Sequence, residues 1–138
     1  MQVELHVDYY VSINICCKMG NFQKLNVWQL AKEMAVKIYR LTDKQPFLRD
    51  YGLKDQIQRS AVSIPSNIAE GDESGSNKMS VKYFHTAKGS VAELQTQIII
   101  AAEIGYIEEE IKKTLLNDCE RISIMLNKII KARSVSRN

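Results

Sequence analysis

The chain has 138 residues, 45% hydrophobic and 25% charged, which suits one domain burying roughly two thirds of its unfolded surface and excludes a disordered chain. Two prolines, six glycines and few aromatics favour helix over sheet. The net charge of +3 lies well below the footprint of a dedicated DNA-binding arm. Cys16, Cys17 and Cys119 have neither zinc-ligand nor CxxC spacing, so they read as free thiols in a reducing cytoplasm.

Residues 3–9, Val-Glu-Leu-His-Val-Asp-Tyr, alternate with the period of a strand, but no second convincing strand follows to pair with them. Residues 1–21 are therefore read as an N-terminal arm, either a β-like extension or a non-native segment preceding a start at Met19. The apolar run Tyr9 to Cys17 is broken by Ser12 and Asn14 and preceded by two acids. It is neither a signal peptide nor a membrane span.

The period then becomes helical. A first helix is predicted over 26–44, with Val27, Leu30, Ala31, Met34, Ile38 and Leu41 on one face and Asn26 as its cap; Gln45-Pro46 ends it. A second is predicted over 50–71 with inner residues Leu53, Ile57, Ala61, Ile64 and Ile68, a kink at Pro65 and a left-handed cap at Gly71. Ser60, Ser63, Ser66 and Asn67 can satisfy backbone groups that the proline frees.

After the polar turn 72–77, a third helix is predicted over 77–104, carrying Val81, Phe84, Ala87, Lys88, Val91, Leu94, Ile98, Ala101 and Ala102 inward. A fourth over 108–132 carries Ile111, Leu115, Ile122, Met125, Leu126 and Ile129, opens on Glu108, Glu109 and Glu110 and closes on Lys128, Lys131 and Arg133, a charge order that matches the helix dipole. Short connections imply antiparallel neighbours. The fold class is all-α: an antiparallel up-down four-helix bundle over 22–133, with the N-terminal arm before it and a basic tail at 134–138.

Three segments carry a resemblance: Leu25-Asn26-Val27-Trp28-Gln29-Leu30-Ala31, Ser63-Ile64-Pro65-Ser66-Asn67-Ile68-Ala69-Glu70-Gly71, and Phe84-His85-Thr86-Ala87-Lys88-Gly89-Ser90-Val91-Ala92-Glu93-Leu94. Over about residues 22 to 130 the chain resembles the four-helix-bundle family encoded by intervening sequences in 23S ribosomal RNA genes. That family in turn looks related to the accessory variability determinant of diversity-generating retroelements. The resemblance implies a ring-like homopentamer, and the basic relatives imply nucleic acid, RNA or DNA, and a reverse transcriptase or ribosomal component as partners.

The residues themselves support part of this. Ile98-Ile99-Ile100-Ala101-Ala102 is apolar all round the helix, and such a helix must be buried all round, which predicts self-association. Trp28 is a core anchor or an interface hot spot. Pro65 reads as local structure, with Asn67 and Glu70 as alternative subunit contacts, and Gly89 is expected to face Pro65 where two helices approach closely. Beyond Glu120 no acid remains, leaving Arg121, Lys128, Lys131, Arg133 and Arg137. If the first and fourth helices are neighbours, Lys32, Lys37, Arg40, Lys128, Lys131 and Arg133 merge into one patch able to contact a nucleic acid.

No catalytic set is expected, and no cofactor or metal. Glu103 and Glu108 to Glu110 lack the Glu-x-x-His partners of a di-iron bundle, and His6 and His85 are the only histidines. No phosphate loop, HExxH or GxSxG motif occurs. The reading is a cytoplasmic, non-enzymatic, homo-oligomeric adaptor associated with nucleic acid; the alternative is a protein-interaction scaffold that binds none.

Overall fold

The structure, a computed structural model, describes residues 21–135. The strand-like alternation, Met19, Cys16, Cys17, His6 and Arg137 lie outside the described residues. Four helices follow one another: α1 Asn26–Thr42, α2 Tyr51–Glu73, α3 Asn77–Glu103 and α4 Glu109–Val135. Single 3-10 turns at Phe22–Lys24 and Phe47–Arg49 precede α1 and α2. No strand occurs among the described residues.

Each helix buries one stripe at three- and four-residue steps. The core consists of Val27, Ala31, Met34 and Ile38 from α1, Ile57, Ala61, Ile64 and Ile68 from α2, Phe84, Val91, Leu94 and Ile98 from α3, and Leu115, Cys119, Ile122 and Leu126 from α4, all buried. That is the spacing of a face about 100° wide turned toward three neighbours. Of the expected inner residues Ile111 is exposed, and Leu30, Leu41, Leu53, Val81, Lys88, Ala102, Met125 and Ile129 are half-buried at the edges of the stripes. Contacts join α1 to α2, α2 to α3, α3 to α4 and α4 back to α1, so the helices form a closed square in chain order.

The helix ends show which local signals act. Asp50 caps α2, its Oδ1 accepting the Leu53 N–H at 3.1 Å. Ser76 caps α3 by accepting from Met79. Beyond the end of α3 at Glu103, Gly105 takes φ +85°; its N–H donates to the Ala102 carbonyl and the Tyr106 N–H to that of Ala101, the paired bonds of a Schellman end. Asn26 is no cap: Leu25 is the extended residue before α1, and no side chain caps that end. α1 also stops two residues early, at Thr42, whose hydroxyl turns back to the Ile38 carbonyl at 2.8 Å.

Gly71 is likewise not the end of α2. The helix continues through it to Glu73, and the hydroxyls of Ser74 and Ser80 each donate to the Gly71 carbonyl at 2.7 Å. The reason for glycine is steric. A Cβ there would lie 2.6 Å from Cε1 of the fully buried Phe84 ring.

α2 runs as one helix through Pro65. Around it a polar seam joins α2 to α3: Ser60 bonds Gln97, Ser63 meets Ser90 at 2.8 Å, and the Asn67 amide donates to the Ser63 carbonyl and hydroxyl. The expected close approach at Gly89 does not occur, since no atom lies within 4 Å of where its Cβ would stand. The contact is made one residue on, by buried Ser90; one residue along a helix is a 100° rotation, which turns Gly89 to solvent.

Candidate assembly and nucleic-acid surfaces

The antiparallel register of α1 and α4 decides what the predicted cations can do together. Leu25, Asn26 and Val27 share a groove with Met125, Lys128 and Ile129, while Lys37 and Leu41 share another with Glu110, Ile111 and Thr114. The C-terminal end of α1 therefore lies beside the acidic start of α4. Arg40 sits at that end, away from Lys128, Lys131 and Arg133, so the single patch expected from neighbouring helices does not form.

Two of the six cations are also engaged. The Lys37 ammonium donates to Asp118 Oδ2 at 2.8 Å, and the Asp118 side chain is only 9% exposed. Arg133 donates to Asp72 at 3.0 Å, tying the end of α4 to the end of α2. Lys32, Arg40, Lys128 and Lys131 are exposed. Asp118, which also receives Arg121 at 3.6 Å, was not singled out in the sequence because its partner stands 81 residues away.

Exposed large apolar side chains stand on every helix, Val36, Val62, Ile111 and Ile124 among them, and three isoleucines lie together at the C-terminal end of α3. Ile99, Ile100 and Ile104 are 38%, 46% and 52% exposed. Ile99 lines a groove of about 790 Å³ between α3 and α4, with Ala92, Thr96, Leu116, Asn117 and Glu120. Ile104 extends the row one turn beyond Ile100, a spacing present in the sequence but masked by the expected helix end at 104. Of the other singled-out residues, Trp28 is half-buried and meets Phe22 edge to face at 5.2 Å. Pro65 and Asn67 are half-buried in the seam, and Glu70 and Gly89 are exposed.

Chemically reactive groups are tied down. Burial, helped by the charge of Asp118, pushes the Cys119 thiol up to about 12, which leaves it protonated and unreactive at neutral pH. The Tyr106 hydroxyl donates to Asp50 Oδ2 at 3.1 Å; that bond, then desolvation and the carboxylate charge, raise the phenol above its ordinary value. Among the described residues no group of three His, Cys, Asp or Glu side chains is placed to hold a metal ion. No helix there is long and apolar enough to cross a membrane.

The geometry defines an all-α antiparallel four-helix bundle with an exposed isoleucine row and dispersed cations. The chain belongs to the 23S rRNA-intervening sequence protein family, whose profile matches residues 23–128. A crystal structure of a protein with unknown function from the S23 ribosomal protein family of Bacteroides thetaiotaomicron is similar, with a TM-score of 0.71 and 25% identity over 76% of this chain and 95% of that one. No curated protein matches the sequence. Neither description names a reaction.

Proposed function

We propose that this protein is a non-enzymatic, homo-oligomeric helical-bundle adaptor, pentameric as the family resemblance implies, that associates with nucleic acid through its exposed cations. The observation that carries the assembly is the row Ile99, Ile100 and Ile104 on α3. Three β-branched side chains at adjacent and four-residue positions make one apolar strip beside an open groove, and such a strip is stabilised by burial at about 25 cal/mol per Å². The family's connection to ribosomal RNA genes supports nucleic acid as the partner class, with a ribosomal component or a reverse transcriptase as the accompanying protein.

The double substitution Ile100→Lys with Ile104→Lys tests the assembly. It is expected to shift the light-scattering mass to that of a single chain while leaving the helical circular dichroism intact. An unchanged oligomer would place the subunit contacts elsewhere and refute this surface.

The loss of Lys37 and Arg133 to Asp118 and Asp72 favours one second reading, a protein-interaction scaffold whose charges serve solubility. A salt-dependent gel shift with structured RNA and duplex DNA separates the two. Absence of any shifted species at about 50 mM salt would favour the scaffold.

A further inference from the structure

The fold sorts charge along the bundle axis. At one pole lie the start of α1, the end of α2, the start of α3 and the end of α4. Arg133 on α4 meets Asp72 on α2 there, and Lys128 lines the groove with Leu25 to Val27. α3 and α4 run antiparallel along the groove lined by Ala92, Ile99, Lys113 and Glu120, which brings the start of α3, with Lys78 and Lys82, to the same pole as Lys131 and Arg133. Lys24, Lys78, Lys82, Lys128 and Lys131 are all exposed, and among the described residues none is in an ion pair.

The acids of this pole, Glu70, Asp72 and Glu73, all stand on α2, and Asp72 is already neutralised by Arg133, so the five lysines outnumber the two remaining carboxylates. The opposite pole is different in kind. Glu103, Glu108, Glu109 and Glu110 are exposed there, beside Arg40, Lys44 and Arg49.

We infer that a nucleic-acid backbone is held at the basic pole by Lys24, Lys78, Lys82, Lys128 and Lys131, and not along the α1–α4 side face. The inference rests on the nucleic-acid reading above and adds to it the location and polarity of the contact. Flexible ammonium groups without rigid forks or base-reading geometry make this a contact to phosphates that is independent of sequence. At the opposite pole cations alternate with the acids and Lys112 pairs with Glu109 at 3.5 Å, so that end carries no comparable excess of positive charge.

Counterion release gives the test its number. Five lysines each neutralising one duplex phosphate produce a log–log salt slope of about −4.5 for each engaged subunit, roughly a 500-fold loss of affinity between about 50 and about 200 mM salt. Fluorescence anisotropy would be measured with a labelled RNA duplex and a DNA duplex of the same sequence. The variant K78Q/K82Q/K128Q/K131Q is expected to flatten the slope to about −0.9 per engaged subunit. The control R40Q/K44Q/R49Q/K113Q, four exposed cations away from the pole, is expected to leave it unchanged, with circular dichroism confirming both folds.

Binding of either duplex with this pattern supports the inference, and the two arms say which backbone is preferred. If the wild type binds but the pole variant keeps its slope, or the control loses as much, the location is wrong while the nucleic-acid reading stands. If the wild type binds neither duplex at about 50 mM salt, the reading itself fails and the location with it.

Discussion

Replacing Gly71 with valine is expected to lower the unfolding free energy by about 3 kcal/mol and the melting temperature by roughly 10 °C. Even a Cβ would meet the Phe84 ring at 2.6 and 2.8 Å, well inside van der Waals contact, and the ring is fully buried. Helix propensity works the other way, since glycine costs about 1 kcal/mol against alanine, but overpacking a closed site outweighs it. Gly89 is the internal control. With open space on its Cβ side, Gly89→Ala is expected to raise stability by up to about 1 kcal/mol. Thermal melts of the two variants giving the same sign would refute this assignment of the tight helix approach.

Loss of the Asp50 carboxylate has the second large effect. One oxygen caps α2 through the Leu53 N–H and the other accepts the Tyr106 hydroxyl, so a single side chain joins the α1–α2 connection to the α3–α4 turn. Phe47, fully buried, packs edge to face on Tyr106 at 5.3 Å in the same corner. A helix cap contributes about 1 kcal/mol and a hydrogen bond to a charged acceptor about 1.5–3 kcal/mol. Asp50→Ala is therefore expected to cost about 2.5–4 kcal/mol by urea unfolding, against about 1.5–3 kcal/mol for Tyr106→Phe, which loses this bond but keeps the cap and the ring packing. Equal costs would show that the cap contributes nothing.

The four stripes were legible because each helix carries its apolar residues at three- and four-residue steps over about four turns or more, and only a buried face requires that pattern. The start of α2 near residue 50 and the acidic opening of α4 were legible from local signals at the helix ends. The choice between the two glycines was also in the sequence, but as phase. Gly71 continues the step Ile64, Ile68 by three, placing it inward, whereas Gly89 falls between Ala87 and Val91, off the stripe.

The ion pairs were not legible in this way. Lys37 with Asp118 and Arg133 with Asp72 join residues 81 and 61 apart, and only the register of packed helices brings them together. The same register divides the expected basic patch. Neighbouring helices with like-charged C-terminal ends merge their cations when parallel and separate them when antiparallel, so the charge of α1 and that of α4 end at opposite poles. What the patch loses as a side face, the basic pole recovers with Lys24, Lys78 and Lys82, which carried no weight in the sequence because they belong to different segments.

The isoleucine row shows how a helix that is apolar beyond one stripe differs from its neighbours. Ile98 and Ala101 are buried inside the bundle, while Ile99 and Ile100 remain 38% and 46% exposed. A single subunit does not cover them, and their burial against another chain is the assembly proposed for this protein.

Native mass spectrometry at micromolar concentration distinguishes a pentamer from a single chain. A dominant species at five times the 15.8 kDa chain mass is expected. A different multiple would keep the assembly and overturn the count, and a dominant peak at 15.8 kDa would refute self-association.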